Sequence, residues 1–456
     1  MKRTEGVKTL LGDPRKAIIK LSGPMVIALF VQSLYNLADA VWVAGLGSDA
    51  LSAIGMFFPV FMIIMALASG VGLGGSSAIS RKIGARDKEL ADQAAIHTLI
   101  FGMGLIVTVS LLIYPFLSQI FRLMGAEGEV LTMVVGYARI LVLGSVFLVY
   151  NNIVNGILRG EGDTRRAMIA MTAGSLLNIF LDPLFIYGFK LGVNGAAWAT
   201  LFSIIVTGLI MSNWLFLRRD TFVSVRPGKF RFNGKLLFEI LRVGIPSSFG
   251  QIAMASTVFI LNVMVGHLGG SEGIAVFTAA WRIILIGVIP LMGIAIGVTA
   301  VTAAAYGEKN YEKLKTGYLF GVRIGFLSEL VVSLVIFIFA KQVSYIFTYS
   351  KGAVHLLKPL VRAMRILIIF VPFVPLGMLT SSLFQGIGKG EYSLAIMILR
   401  TVIFQLFFAY LFGYSLGYGL TGVWSGITTG NVLASSLAIS WGLYYISLLR
   451  QRLMRP

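Results

Sequence analysis

The sequence predicts an all-α polytopic membrane protein with twelve transmembrane helices in two pseudo-symmetric six-helix bundles, and three observations support this. Hydrophobic residues make up 57% of the 456 residues, and charged residues only 12%, about half the charged share of a soluble domain. Apolar stretches long enough to cross ~30 Å of hydrocarbon recur along the chain. The two halves of the chain also resemble each other. With no cysteine, the sequence excludes a disulfide scaffold and thiol catalysis.

Hydropathy gives each span in turn. All of them are expected to be helices, because lipid offers no hydrogen-bond partner to an open backbone. Residues 1–16 are basic and lack the apolar run of a signal peptide, so the first span is expected to be a retained helix. The predicted spans lie near residues 17–44, 51–79, 94–121, 131–158, 167–188, 194–217, 237–265, 273–301, 316–348, 355–384, 393–414 and 419–448.

The basic residues indicate the orientation of these spans. The chain has 38 Lys and Arg against 19 Asp and Glu, a formal charge of +19. One set of alternate connections, which includes both chain ends, holds 25 of the 38, and the opposite set holds four. Because cytoplasmic loops collect Lys and Arg, both termini are predicted to lie in the cytoplasm of a cell-membrane protein. This explains the positive charge without a nucleic-acid partner.

The halves match at an offset that drifts only between 221 and 227 residues. Each half has an even number of spans, so the two are parallel repeats, an arrangement typical of transporters. We therefore predict an N-terminal lobe at 1–217, a cytoplasmic linker at 218–235 and a C-terminal lobe at 236–456. The matched pairs include Pro24 with Pro246, Gly84 with Gly307, Gly162 with Gly388 and Gly192 with Gly419.

Three acidic residues lie well inside apolar spans: Asp39, Asp182 and Glu329. A carboxylate at that depth costs several kcal/mol unless it is protonated, paired or hydrated, so each is a functional candidate. Glu329 has no polar neighbours at helical spacing, and structural pairing with Arg323 or Arg362 is the favoured interpretation. The second half carries no counterpart of Asp39 or Asp182, so a coupling site would belong to the first half alone.

Asp39 and Asp182 each lie six residues before the outer end of their helix, about 9 Å below the surface. Asn178 is one turn before Asp182, and Thr200 and Tyr137 lie at a similar depth on other helices. These oxygens suit Na⁺ or a shared proton. The alternative, two separate acids each bonded within its own helix, stays open. The polar face of Asp39 continues through Gln32, Tyr35 and Asn36.

The fourth span carries further amides, Asn152 and Asn155, deeper towards the cytoplasm. They could meet a polar or cationic substrate, or they could join neighbouring helices by hydrogen bonds. Both interpretations are open at this point.

The chain resembles the multidrug and toxic compound extrusion (MATE) family, in its archaeal, DinF-like branch, over essentially the full length. The segments that carry the resemblance are PMVIALFVQSLYNLADAVWVAGLG, IGARDKE, NGILRGEGD, LNIFLDPLFIYGFKLGVNGAAWAT and FQGIG. The family implies a V-shaped, two-lobe fold. It also implies antiport of cationic, often aromatic drugs against H⁺ or Na⁺.

The resemblance also implies residue roles. It places the cation site, including a possible Na⁺, at Asp39, Asn178, Asp182 and Thr200, with Tyr137 extending the network. It places the substrate cavity at Gln32, Tyr35, Asn36, Asn152 and Asn155. Another branch of the family has an acid in helix 7 where this chain has Met254, so a cation site in the C-terminal lobe is not expected.

We therefore predict a secondary active exporter with no cofactor beyond its coupling ion. Its expected partners are small cationic or aromatic drugs and membrane lipids, and it is expected to act as a monomer. The rival within the superfamily is a flippase for lipid-linked oligosaccharides or lipids. An embedded enzyme would need a nucleophile–base set or metal ligands, which the spans do not contain, and a channel would dissipate gradients.

Overall fold

The computed structural model describes residues 4–218, 220–349 and 352–453. Several basic residues that enter the charge count, among them Lys2, Arg3, Arg219, Lys351 and Arg455, lie outside the described residues. Within the described residues the regular structure is helical throughout.

In the part of the first half that the structure describes, there are eight α-helices. A short amphipathic segment comes first, and six long spans follow, the third of which continues into a short helix. They are α1 (Glu5–Leu10), α2 (Pro14–Ala44), α3 (Ser48–Gly84), α4 (Lys88–Ile113), α5 (Leu117–Leu123), α6 (Gly128–Gly160), α7 (Thr164–Pro183) and α8 (Gly192–Ser212).

Among the described residues of the second half there are nine α-helices, because several of its spans are interrupted. They are α9 (Gly234–Gly287), α10 (Ile289–Gly307), α11 (Tyr311–Ile338), α12 (Ala340–Thr348), α13 (Leu357–Leu367), α14 (Val374–Gly386), α15 (Gly390–Met397), α16 (Gln405–Tyr410) and α17 (Gly419–Leu453).

Twelve helical stretches of the described chain are long and apolar enough to cross a membrane, as predicted. The breaks differ from the prediction in the second half. Gly270 has φ 59° and ψ −154°, so α9 is two helices that meet at a single glycine instead of the predicted loop. The predicted eighth span is interrupted at Val288, just before Pro290, and the ninth at Phe339. Hydropathy misses the breaks at Val288 and Phe339 because the residues around them are largely apolar.

The internal repeat is confirmed in the backbone. Left-handed residues recur at the repeat offset. π-helical turns also recur, at Leu184–Gly188 and Leu411–Ser415, just before the equivalent glycines. Similar side chains do not by themselves impose left-handed residues and π-helical turns at equivalent positions. Because these features recur, the two halves follow the same chain path. The left-handed pairs are Gly47 with Gly270, Arg86 with Lys309, Gly162 with Gly388 and Gly192 with Gly419.

The described chain divides into two compact units. Unit 1 is Met1–Leu11 with Ile27–Ser248, and unit 2 is Gly12–Val26 with Phe249–Pro456. The division differs from the predicted lobes in two ways. The linker belongs to unit 1, and both α2 and α9 change unit partway along. The two changes fall 222 residues apart, two residues after Pro24 and Pro246 respectively.

Close packing of backbone on backbone holds unit 1 together. A Cβ on Gly156 would lie 2.4 Å from the carbonyl oxygen of Gly72, and a Cβ on Gly72 would lie 2.8 Å from that of Asn152. One turn further, the Ser80 hydroxyl donates to the Gly160 carbonyl at 2.7 Å. Small residues therefore let α3 and α6 touch along their length, as expected where lipid supplies no hydrophobic drive between helices.

Unit 2 uses the same device between α16 and α17 and the π-helical turns that flank α16. Added Cβ atoms on Gly422, Gly426 and Gly430 would lie 2.2–2.6 Å from the carbonyl oxygens of the preceding span. These glycines are four residues apart, so they form one ridge of a helix. Three glycines on one ridge therefore allow the last span of the described chain to pack closely against the backbone of the preceding span.

The linker is fastened to unit 1 by side chains at the ends of helices. Glu161, which is fully buried, accepts from the backbone N–H of Val223 at 2.9 Å. Asp92 accepts from Ser224 N–H at 2.8 Å, and the ring of His97 accepts from Asn233 N–H at 2.9 Å. These bonds explain why the linker belongs to unit 1 instead of standing between the lobes.

Replacing Gly156 by Ala tests the contact of α3 with α6. The added methyl meets backbone that cannot rotate away, so the helices must separate, at a cost of about 1–3 kcal/mol in the free energy of unfolding. Thermal unfolding in detergent measures this. Gly104→Ala is the matched control, because nothing lies within 4 Å of its Cβ position. Equal melting temperatures for the two variants would contradict the packing described.

Glu161 gives a pH dependence. Burial raises the pKa of its carboxyl from 4.5 to about 8, opposed by the bond from Val223 N–H. The folded state therefore holds the proton more tightly than the unfolded state. Stability is highest below about pH 4.5 and falls as the pH rises towards 8. Glu161→Gln removes this dependence, so we expect little difference from wild type at low pH and a higher melting temperature above pH 8. A constant difference across the pH range would count against it.

Candidate functional site

The structure brings Asp39 and Asp182 together inside unit 1. Asp39 lies near the end of α2, and Asp182 is the penultimate residue of α7. The two carboxyl groups are within hydrogen-bonding reach of each other. Asp182 is fully buried, whereas Asp39 is half-buried. The matched depth predicted from the sequence therefore corresponds to direct proximity.

A bond between the ends of the two helices positions the acids. The hydroxyl of Tyr187 donates to the backbone carbonyl of Trp42 at 2.6 Å, and the two rings meet edge to face with centroids 6.4 Å apart. Tyr187 lies in the π-helical turn that follows Pro183. Because proline has no N–H to continue the α-helical ladder, the chain widens there. This turn holds α7 against α2 one turn beyond the acids.

Asn178 ties Asp182 to α8. With its amide oriented to satisfy both ends, its nitrogen donates to Asp182 Oδ2 at 2.9 Å, and its oxygen accepts from Thr200 N–H at 3.2 Å. Asn178 is only 2% exposed. The predicted pairing of Asn178 with Asp182 along one helix face is thus present, and Thr200 completes the link to α8.

The other carboxyl oxygen of Asp182 is buried, and no donor in the described part of the chain reaches it. Two carboxylates can only accept hydrogen bonds, so neighbouring carboxyls bond to each other only when one carries a proton. A buried oxygen with no donor leaves room for one positive species. The arrangement can therefore hold a proton or a small cation that hard oxygens coordinate.

Two tyrosines surround the pair. Tyr35 is within hydrogen-bonding reach of the Thr200 side chain and close enough to both acids to interact electrostatically. Tyr137 also lies near both acids, and its ring meets that of Phe57 edge to face at 5.3 Å. The phenol groups offer polar atoms inside an otherwise apolar shell. Four residues predicted for the cation site, and Tyr35 from the predicted substrate cavity, therefore cluster around Asp39.

The remaining predicted cavity residues are not in hydrogen-bond contact with the acids in the described chain. Gln32 is half-buried and Asn36 exposed, on the same helix as Asp39. The Asn152 amide donates to its own helix at Leu148 O, at 3.0 Å. Asn155 is 6% exposed. Whether these four meet a substrate stays a prediction.

The suggested partners of Glu329 are wrong in the described chain. Glu329 is fully buried in α11, next to the backbone of Leu291. Arg323 and Arg362 are both exposed, and neither forms an ion pair with it. Sequence distance suggested the pairing, but the arginines point away from the core of unit 2.

Sequence reasoning also missed Tyr187 and Trp42. Both lie within five residues of an acid, towards the same end of the membrane. The sequence does show an aromatic residue a few positions after each acid, which could have indicated a contact between the helix ends. The bond itself joins the Tyr187 hydroxyl to a backbone carbonyl, and a side-chain pattern does not predict such a bond.

Two parallel repeats of membrane-spanning helices, with Asp39 and Asp182 side by side inside one unit, are typical of membrane transporters. The chain belongs to the MatE family, whose model matches residues 24–184 and 246–411. The two matched segments correspond to the two halves of the repeat.

The relatives agree with this family. The multidrug export protein MepA of Staphylococcus aureus (strain NCTC 8325 / PS 47) is 32% identical over 289 residues, or 63% of this chain and 64% of MepA. The match thus spans less than two thirds of that protein's length. A solved outward-facing multidrug resistance MATE family transporter of the MOP superfamily is 51% identical, with TM-score 0.97, over 99% of this chain and 100% of that one. A MOP superfamily transporter from Pyrococcus furiosus is also 51% identical, with TM-score 0.96 and the same coverage.

Asn178→Ala tests the hydrogen-bond geometry of the site. The change removes the donor to Asp182 Oδ2 and leaves a buried polar oxygen unsatisfied, at a cost of about 1–3 kcal/mol of unfolding free energy. Thermal unfolding in detergent is the measurement. Asn36→Ala is the control, since this amide is exposed on the neighbouring helix. If both variants melt alike, Asn178 does not support Asp182 as described.

Proposed function

We propose that this protein is a secondary active multidrug exporter that antiports cationic or amphipathic drugs against H⁺ or Na⁺ by alternating access. The observation that carries the proposal is the pair formed by Asp39 and Asp182 inside a membrane-spanning unit. MepA is named a multidrug export protein, and one solved relative is described as a multidrug resistance transporter.

The pair supplies the coupling step. When it holds no cation, its negative charge favours a positively charged drug nearby. Binding of H⁺ or Na⁺ neutralises the site and removes that attraction. An ion drives export only if ion and drug favour different states of the transporter, and one shared site gives that opposition directly. Asn178, Thr200 and Tyr137 are proposed to complete the cation site.

The apolar surroundings account for the substrate class. Phe57, Phe61 and Leu141 line a recess that reaches Thr200. Aromatic and aliphatic walls beside a negative charge fit flat cations, because cations are attracted to the faces of aromatic rings. Gln32, Tyr35, Asn36, Asn152 and Asn155 are proposed to contribute polar contacts in the adjoining cavity.

The proposed orientation follows from the basic residues. Most of the Lys and Arg fall in the connections that twelve spans assign to the same side as the chain ends and the linker, so we place both termini in the cytoplasm of the cell membrane. The protein is proposed to act as a monomer, since all the residues proposed for the cation site come from one chain.

A different substrate is the second candidate. The Pyrococcus furiosus transporter is described as having a binding pocket of reverse polarity, which suggests a different function for that protein. A lipid or lipid-linked oligosaccharide flippase is the corresponding alternative for this chain. It predicts lipid movement across the bilayer in place of drug export.

The test is export of a fluorescent cationic dye from proteoliposomes, with pH and Na⁺ gradients imposed separately. We expect one gradient to drive export, and Asp39→Asn and Asp182→Asn each to reduce it at least tenfold, because the neutral amide cannot exchange a cation. Glu129→Gln, at an exposed carboxylate elsewhere in unit 1, is the control.

Gradient-driven export that persists in both Asn variants would overturn the coupling site. No export under either gradient, with lipid scrambling in the same vesicles, would replace the exporter with the flippase.

A further inference from the structure

A basic stripe runs along the exposed face of α13 in unit 2. It consists of Lys358, Arg362 and Arg365, all exposed. The opposite face of the same helix is buried, with Leu360, Ala363, Met364 and Leu367 each at most 1% exposed. The spacing of four and then three residues places the three cations on one side of the helix. The surface they form is about 10 Å long, at 1.5 Å per residue.

The stripe stands on the side of the membrane where positive charge is unexpected. The α12–α13 connection follows the ninth span, so it lies opposite the chain ends. Loops on that side carry few basic residues, and α13 departs from this pattern. Three basic residues together on the side that otherwise has few Lys and Arg indicate a specific role for this surface.

Acidic side chains do not neutralise the stripe. In the described part of the chain none of its three residues takes part in an ion pair. The hydrogen bond between two side chains that is nearest in sequence joins His355 Nε2 to Glu272 Oε1 at 3.1 Å, so this acid has a partner other than the stripe. Glu329 is fully buried. The stripe therefore offers a concentrated positive surface to an external anion.

The surroundings show at what depth that anion would lie. The Arg365 guanidinium stands 5.6 Å from the centroid of the Phe337 ring. Phe337, Ile338 and, one turn beyond Arg365, Ile369 are 43%, 65% and 52% exposed. These exposed apolar side chains suit acyl chains and the cations beside them suit phosphate. The stripe therefore fits the boundary between headgroups and hydrocarbon, towards which long basic side chains extend.

We propose that this stripe binds the phosphate of anionic phospholipids in the leaflet opposite the chain ends. Three cations in a row, beside an apolar surface for the acyl chains, match a lipid anion better than a soluble one. Basic residues near a membrane surface attract anionic lipids, and arginine binds phosphate through two parallel hydrogen bonds. The proposal is independent of what the protein transports.

The test uses the absence of cysteine from the chain. Ile369→Cys carries a bimane label in vesicles of phosphatidylcholine that contain a small fraction of lipid with a doxyl quencher. The quencher is attached to phosphatidylglycerol or, in the matched sample, to phosphatidylcholine. We expect the glycerol lipid to be enriched at this label on the order of tenfold, seen as stronger quenching.

Two controls isolate the stripe. The same label at Leu437→Cys, an exposed position on α17, where residues 419–449 contain no Lys or Arg, should show no preference between the lipids. Changing all three stripe residues to Gln should abolish the preference at position 369. Changing Lys309, Lys315 and Arg450 to Gln removes the same charge from exposed positions in unit 2 towards the side of the chain ends, and should preserve the preference.

Equal quenching by both lipids at position 369 would overturn the proposal. So would a preference that survives in the stripe variant, because other residues would then hold the lipid. Loss of the preference on adding inorganic phosphate at constant ionic strength would show that a soluble anion occupies the stripe. Elution of each variant as a single species in gel filtration establishes that it is folded.

Discussion

The burial of Asp182 is the constraint on which the arrangement of unit 1 depends. A carboxyl removed from water must be neutralised or hydrogen-bonded, and three helices contribute to that requirement here. Asn178 supplies a donor from the same helix and links it to α8, Asp39 faces it from α2, and Tyr187 holds the helix ends together. The buried oxygen that none of them satisfies is then the atom to which a positive species can bind. The proposed transport chemistry and the packing of these helices are thus two consequences of one buried group.

Glycine provides the second constraint, because polar clusters in a membrane need helices at fixed, short separations. The Gly72–Gly156 contact brings α3 against α6, the helix that carries Tyr137. In unit 2 the three glycines of α17 likewise bring two spans together, although that contact positions no counterpart of Asp39 and Asp182. The close packing is therefore a property of the repeat, whereas the carboxyl pair belongs to the first half only. Duplication explains the scaffold, and later divergence of a few side chains explains the asymmetry.

Much of the fold was predictable from composition alone, since apolar length and the cost of an unsatisfied backbone leave few alternatives in lipid. Twelve spans follow from this, and the repeat follows from the matched motifs. The break at Val288 does not, because it lies within apolar sequence where hydropathy is uniform. A break near Gly270 was predicted, beside Ser271 and Glu272, but the sequence does not show that a single glycine forms it in place of a loop. In the site, depth along the helices predicted that Asp39 and Asp182 would be neighbours. The Tyr187 bond to Trp42 O was beyond sequence, since it depends on helix rotation. The isolation of Glu329 from Arg323 was not, because six residues on one helix place the two side chains on different faces. The packing of the linker against unit 1 was not predicted for a related reason. The backbone N–H groups of the linker donate to side chains of unit 1, and the sequence does not show such bonds.

The change of unit within α2 and α9 has a consequence for the origin of the protein. Residues 12–26 belong with the second half, and residues 234–248 belong with the first. Neither half-chain alone contains a complete unit. A single-repeat ancestor with this chain path would have been a domain-swapped homodimer, in which each copy lent the start of its first helix to the other. Gene fusion would then have preserved this exchange, and a cut in the linker would leave two fragments, neither of which holds all the residues of one unit.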